Sequence, residues 1–156
     1  MMAVVDASVA VKWFLSGRPD EQHADLALQI LEQSVLGFLP LVQPPHFVAE
    51  VSAVLARLKP ADARDDLSDL LDISYRTHAT PETYATALDL AMRYQHHVFD
   101  TLYHAVALHT PGAVLITADE RYYYKACSEG QITLLADFSL DWWVFRTTVN
   151  THSGGS

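Results

Sequence analysis

The chain has 156 residues, half of them hydrophobic, and a net charge of −9. That length suits one domain with a substantial core, the apolar share excludes a wholly disordered chain, and no apolar run approaches the ~20 residues that span a bilayer. The acidic balance, taken alone, argues against a nucleic-acid binder, which carries a basic footprint.

The single cysteine, Cys127, cannot close an internal disulfide, and no basic stretch precedes an apolar one at the start. A reducing, cytoplasmic setting without a membrane segment is therefore expected. Ala3-Val4-Val5 reads as a short buried strand. Ser8 is expected to cap a helix over residues 9–15, and Asp20 a helix over residues 21–35. Ala24, Leu28, Leu31 and Val35 of the latter recur at spacings of three and four, and Gly37 ends it. "FLPLVQ" is extended, and "HFVAEVSAVLARL" is a helix closed by Lys59-Pro60.

"ADARDDLSDLLDISYR" reads as a helix whose Asp62, Asp65, Asp66, Asp69 and Asp72 form a mostly solvated face. Thr80 and Pro81 announce the next helix, as cap and first residue. "FDTLYHAVALHT" is another helix, stopped by Pro111-Gly112. "AVLITAD" is a strand, "ERYYYKACSEG" a helix and "ITLLADF" a last strand. Residues 1–146 form the expected domain. Residues 147–156 are polar and Gly/Ser-rich, and read as a flexible tail, with "SGGS" as a cloning remnant.

Short apolar strands separated by helices imply an α/β fold with a short, mainly parallel central sheet covered on both faces. Ligands of such folds bind beyond the carboxyl ends of the strands. Asp6 and Asp119 each follow a strand at that end, so they can meet although they lie far apart in sequence. Glu50 and Asp100 interrupt apolar helix patterns, where carboxylates are rare unless paired or metal-bound. Converging anions raise one another's pKa. Mg²⁺ or Mn²⁺, hard cations that prefer carboxylates and water, would resolve the conflict.

Each acid alone has a structural alternative. Asp6, Asp100 and Asp119 stand where helix caps stand, and Glu50 fits the exposed face of an amphipathic helix. Together, "VVDASVAVKWFL", "PHFVAEVSAVL", "FDTLYHAVAL" and "LITADERYYYKA" resemble the four acidic motifs of PIN-domain ribonucleases, with the nearest likeness to VapC-type toxins of toxin–antitoxin pairs. The resemblance runs from Met1 to about Phe138. It implies a three-layer α/β/α PIN-like fold. It also places Asp6, Glu50, Asp100 and Asp119 on the catalytic acidic positions, with Asp6, Asp100 and Asp119 as metal ligands and Ser8 and Thr117 as supporting hydroxyls. Thr101, directly after the third acid, departs from the small apolar residue frequent there.

The implied activity is Mg²⁺- or Mn²⁺-dependent hydrolysis of RNA phosphodiesters, leaving a 5′-phosphate and a 3′-hydroxyl. The implied partners are an RNA substrate, a cognate antitoxin protein and a second copy of the chain. Lys12, Arg18, Arg121 and Lys125 are candidates for local positive charge. Trp13, Phe14, Phe38, Phe47, Trp142, Trp143 and Phe145 are apolar material available to such interfaces. His46/Glu50 and Asp100/His104 are each four apart and would permit a transition-metal pair, but without a recognised spacing motif. His96-His97 reads as loop, and Cys127 as a buried small residue. The rivals are a PIN nuclease with a processing or housekeeping role and a partner-binding module with a retained acidic pocket. A phosphotransferase with Asp6 as nucleophile wants a second Asp where Ser8 stands.

Overall fold

The computed structural model describes residues 1–141. The first strand, β1 (Met2–Val5), leads through Asp6 into two short helices, α1 (Ala7–Ala10) and α2 (Lys12–Leu15). There follow α3 (Ala24–Val35), β2 (Val42–Gln43), α4 (Phe47–Leu58), α5 (Ala63–Leu71) and β3 (Arg76–Thr77). The hairpin of α6 (Pro81–Tyr94) and α7 (Val98–Leu108) precedes β4 (Ala113–Thr117), α8 (Glu120–Ala126) and β5 (Ile132–Leu134).

Strands β1, β4 and β5 form a parallel sheet in the order β1-β4-β5, with Val5 level with Ile116 and Thr117 level with Leu134. Strands β2 and β3 pair in parallel, and Leu41 bridges in parallel to Ala3, so this pair continues the sheet on the other side of β1. Ala3, Val4, Val5 and Ile116 are fully buried, as expected of strands covered on both faces. The result is the three-layer α/β/α arrangement expected from the sequence. Its order reverses direction between β1 and β4, which opens a crevice at their carboxyl ends.

The β1–β2 seam is closed by a side chain. Buried Gln43 accepts from the Val5 N–H at 3.0 Å and donates to the Val5 carbonyl at 2.8 Å. Its amide thus serves as the missing rung of the ladder and fixes the backbone next to Asp6.

Several local expectations change. Asp6, not Ser8, caps α1, and the stretch over residues 9–15 is broken at Val11 into α1 and α2. Helix α3 begins at Ala24 rather than after Asp20, behind His23 in a left-handed conformation. It buries Ala24, Ala27 and Ile30, while Leu28 is 38% exposed and Val35 74% exposed. The three-residue spacing won, because small alanines let α3 lie close to its neighbours. Helix α5 stops at Leu71, and Arg76 enters a strand instead.

Asp66 is buried, with Lys59 Nζ 2.9 Å from its Oδ2, whereas Asp62, Asp65, Asp69 and Asp72 are exposed. Cys127 is exposed, at the turn that follows α8. Trp13 and Phe47 lie in the core and are not spare surface. Thr80 caps α6 and Pro81 opens it, as expected. The expected boundary at residue 146, the tail 147–156, and Trp142, Trp143 and Phe145 lie outside the described residues. Among the described residues no helix is long and apolar enough to cross a membrane.

Candidate metal centre

The crevice receives its side chains from four places. Asp6 follows β1, and its Oδ1 accepts from the Val9 N–H at 3.3 Å as the cap of α1. Ser8 donates to Oδ1 and Thr117, from the end of β4, donates to Oδ2. Each hydroxyl is itself oriented: Ser8 Oγ accepts from the Ala118 N–H and Thr117 Oγ1 from the Asp119 N–H, both at 3.0 Å. The two hydroxyls therefore lock the carboxyl ends of β1 and β4 together around one carboxylate. Despite these bonds, burial pushes the Asp6 pKa up to about 7, and the nearby Asp100 charge adds to the rise.

Asp100 lies in the first turn of α7, but it is not the cap: that position is His97. Burial raises its pKa, the Glu50 charge raises it further, and Asp119 adds to the effect, while His96 opposes it. Asp119 does cap α8, its Oδ1 accepting from the Tyr122 N–H at 3.0 Å. Its other oxygen is 3.5 Å from His96 Nε2, so capping uses only half of the carboxylate.

Glu50 occupies the first turn of α4. Its Oε2 accepts from the buried Tyr103 hydroxyl at 3.0 Å and lies 3.1 Å from His46 Nε2. The same His46 nitrogen is 2.8 Å from the Phe99 carbonyl. That contact spans α4 and α7 and holds Glu50 toward Asp100. Burial, and after it the neighbouring carboxylates, raises the Tyr103 pKa, so it stays a proton donor to Glu50.

All four acids and both hydroxyls singled out in the sequence thus face one crevice. Among the described residues, no Lys or Arg forms an ion pair with any of the four carboxylates. Lys12 is engaged by Glu21 and the Gln22 carbonyl, and Arg18 by the Leu58 carbonyl. Thr101 faces away, donating to the Ala87 carbonyl on α6. His104 is also turned away, buried against the Tyr122 hydroxyl and the Gly130 carbonyl, so the Asp100/His104 pair does not form.

His96 is what the sequence reading missed. Its Nε2 is 3.3 Å from Asp100 Oδ2 and 3.5 Å from Asp119 Oδ2. The only available signal was its place four residues before Asp100, outside any helix. His96, Asp100 and Asp119 each offer a ligand atom, all within 4.8 Å of one another.

The PIN domain family model matches residues 3–127. Among solved structures, the fold is similar to the crystal structure of Mycobacterium tuberculosis VapC20, a toxin that cleaves the sarcin-ricin loop. The TM-score is 0.57 at 17% identity, covering 80% of this chain and 94% of that one. No curated protein matches.

Proposed function

The chain belongs to the PIN-domain family, and from that premise we propose that it is a Mg²⁺- or Mn²⁺-dependent endoribonuclease, the toxin of a toxin–antitoxin pair. The observation that carries this reading is the convergence of four carboxylates in a crevice where, among the described residues, no Lys or Arg forms an ion pair with them. Such a donor set fits a hard divalent cation. Asp6, Asp100 and Asp119 would hold it.

When bound, the cation acidifies a water and neutralises phosphate charge. The chain's own residues do the rest. Ser8 and Thr117 fix the Asp6 carboxylate, so ligand geometry is set before substrate arrives. Asp119 is held by its cap bond with one oxygen to spare. Glu50, gripped at Oε2 by Tyr103 and His46, takes the water's proton on its other oxygen. The net charge of −9 ceases to oppose RNA binding at this point, because the cation meets the phosphate.

Control by a partner fits the surface. Phe14, Leu31, Val35 and Ile73 line a groove of about 480 Å³, rimmed by Asp69 and Asp72. An apolar groove with an acidic rim suits an amphipathic, basic antitoxin helix. A partner Arg or Lys reaching the four acids would compete with the cation. The exposed row of Tyr84, Leu88 and Met92 on α6 is available to a second copy of the chain.

Expression without a partner tests the toxin reading. The wild type slows growth, Asp6→Asn relieves the effect, and co-expression of a neighbouring small protein relieves it too. If wild type and Asp6→Asn grow alike at equal protein levels, the toxin reading fails and a housekeeping nuclease takes its place.

A further inference from the structure

One side chain at the cluster has no role in the reading above. His96 belongs to the three-residue turn between α6 and α7, after Gln95 in a left-handed conformation. Its backbone N–H donates to the Ala91 carbonyl at 3.1 Å, and its ring packs 4.8 Å from the Tyr122 ring. The side chain is only 10% exposed, although it lies in a surface turn. Backbone and ring are therefore both held, and Nε2 is presented to Asp100 and Asp119 together.

We propose that His96 is an imidazole ligand of the cation held by Asp100 and Asp119, making a mixed nitrogen–oxygen centre that favours Mn²⁺ over Mg²⁺. The proposal rests on the metal-site reading above and assigns it a further ligand. An octahedral cation about 2.1 Å from its ligands sets neighbouring donors about 3 Å apart. The separations of 3.3 and 3.5 Å from His96 Nε2 to the two Oδ2 atoms are close to that spacing. Both cations prefer oxygen donors, but Mn²⁺, a transition metal, accepts an imidazole among its carboxylates more readily than Mg²⁺, which keeps its waters. Binding through Nε2 requires the neutral ring with its proton on Nδ1. His46 is not a second ligand, because its Nε2 is occupied by the Phe99 carbonyl and Glu50. The competing role for His96 is a counter-ion that a metal displaces.

Pulsed electron paramagnetic resonance of Mn²⁺ bound to the full-length wild-type chain decides between them. A ligand gives ¹⁴N modulation, and a displaced counter-ion gives none. Calorimetric titration of His96→Gln and His96→Phe with each metal adds a second readout. We expect Mn²⁺ affinity to fall about tenfold or more and Mg²⁺ affinity to change by less than about threefold. Bound Mn²⁺ without ¹⁴N modulation, or equal losses for both metals, overturns the ligand and leaves the carboxylate site standing. A folded wild type that binds no Mn²⁺ overturns both readings. The wild-type spectrum needs no variant, so a variant that fails to fold does not blunt the test.

Discussion

Removing the charge of Asp6 should stabilise the metal-free protein at neutral pH and above. The Asp6 pKa is raised from an ordinary value of 3.8 to about 7, with burial as the main cause. Because the folded-state pKa lies above the unfolded one, the folded state holds the extra proton between about pH 4 and pH 7. Stability is therefore lost as pH rises through that window, and above it the full cost of the buried carboxylate remains. At about 1.4 kcal/mol per pKa unit, that cost reaches about 4 kcal/mol at pH 8.

Asp6→Asn removes this cost but keeps only one acceptor oxygen for the Ser8 and Thr117 hydroxyls. One of them loses a bond worth about 1 kcal/mol. The net gain is about 3 kcal/mol, or about 6–12 °C in Tm for a chain of this size. Thermal unfolding of both proteins in EDTA from pH 4 to pH 8 measures it. The difference should be near zero or slightly negative at pH 4 and grow to its full value by pH 8. Saturating Mn²⁺ should reverse the order, since only the wild type keeps its ligand. A difference independent of pH, or an Asp6→Asn protein less stable at pH 8 in EDTA, would show that the Asp6 carboxylate is not buried at a cost.

Other substitutions probe the supports of the site. Gln43→Leu strands the Val5 N–H and carbonyl in the core, and denaturant unfolding should show a loss of about 2–4 kcal/mol. Tyr103→Phe deletes a hydrogen bond to the Glu50 carboxylate; turnover should fall about tenfold, from about 1.4 kcal/mol of lost positioning, with the far-ultraviolet circular dichroism unchanged. Lys59→Met leaves Asp66 buried without its partner, and chemical denaturation should register a loss of about 2–3 kcal/mol, below the range for fully buried pairs. Asp100→Asn and Asp119→Asn should each abolish RNA cleavage, read on a labelled oligonucleotide, while leaving the chain folded.

What was legible in the sequence was what strand ends dictate. An apolar run too short to be a helix, followed at once by Asp, places Asp6 and Asp119 at the carboxyl end of the sheet, and the parallel register of β1 with β4 brings them together. Glu50 and Asp100 were legible because carboxylates are conspicuous in apolar helices. Caps were harder. Ser8 and Asp6 are both good cap residues, and only the structure shows that the Asp6 carboxylate takes the Val9 N–H while the Ser8 hydroxyl turns back to it.

Tertiary contacts hid the rest. Asp66 looks like its neighbours on α5 until Lys59 folds over it. Leu28 and Val35 fit an apolar spacing, yet α3 packs through its alanines. The part His96 plays depends on a left-handed Gln95 that bends the chain, a conformation for which the usual glycine is absent.

The decisive measurement is cleavage of an RNA substrate by the purified chain with Mg²⁺ or Mn²⁺, with EDTA, and with the Asp6→Asn protein. Cleavage that requires the metal, stops in EDTA, yields 5′-phosphate ends and is absent from Asp6→Asn is the expected result. Undiminished cleavage in EDTA, or by Asp6→Asn, would contradict a metal-dependent nuclease built on these four acids.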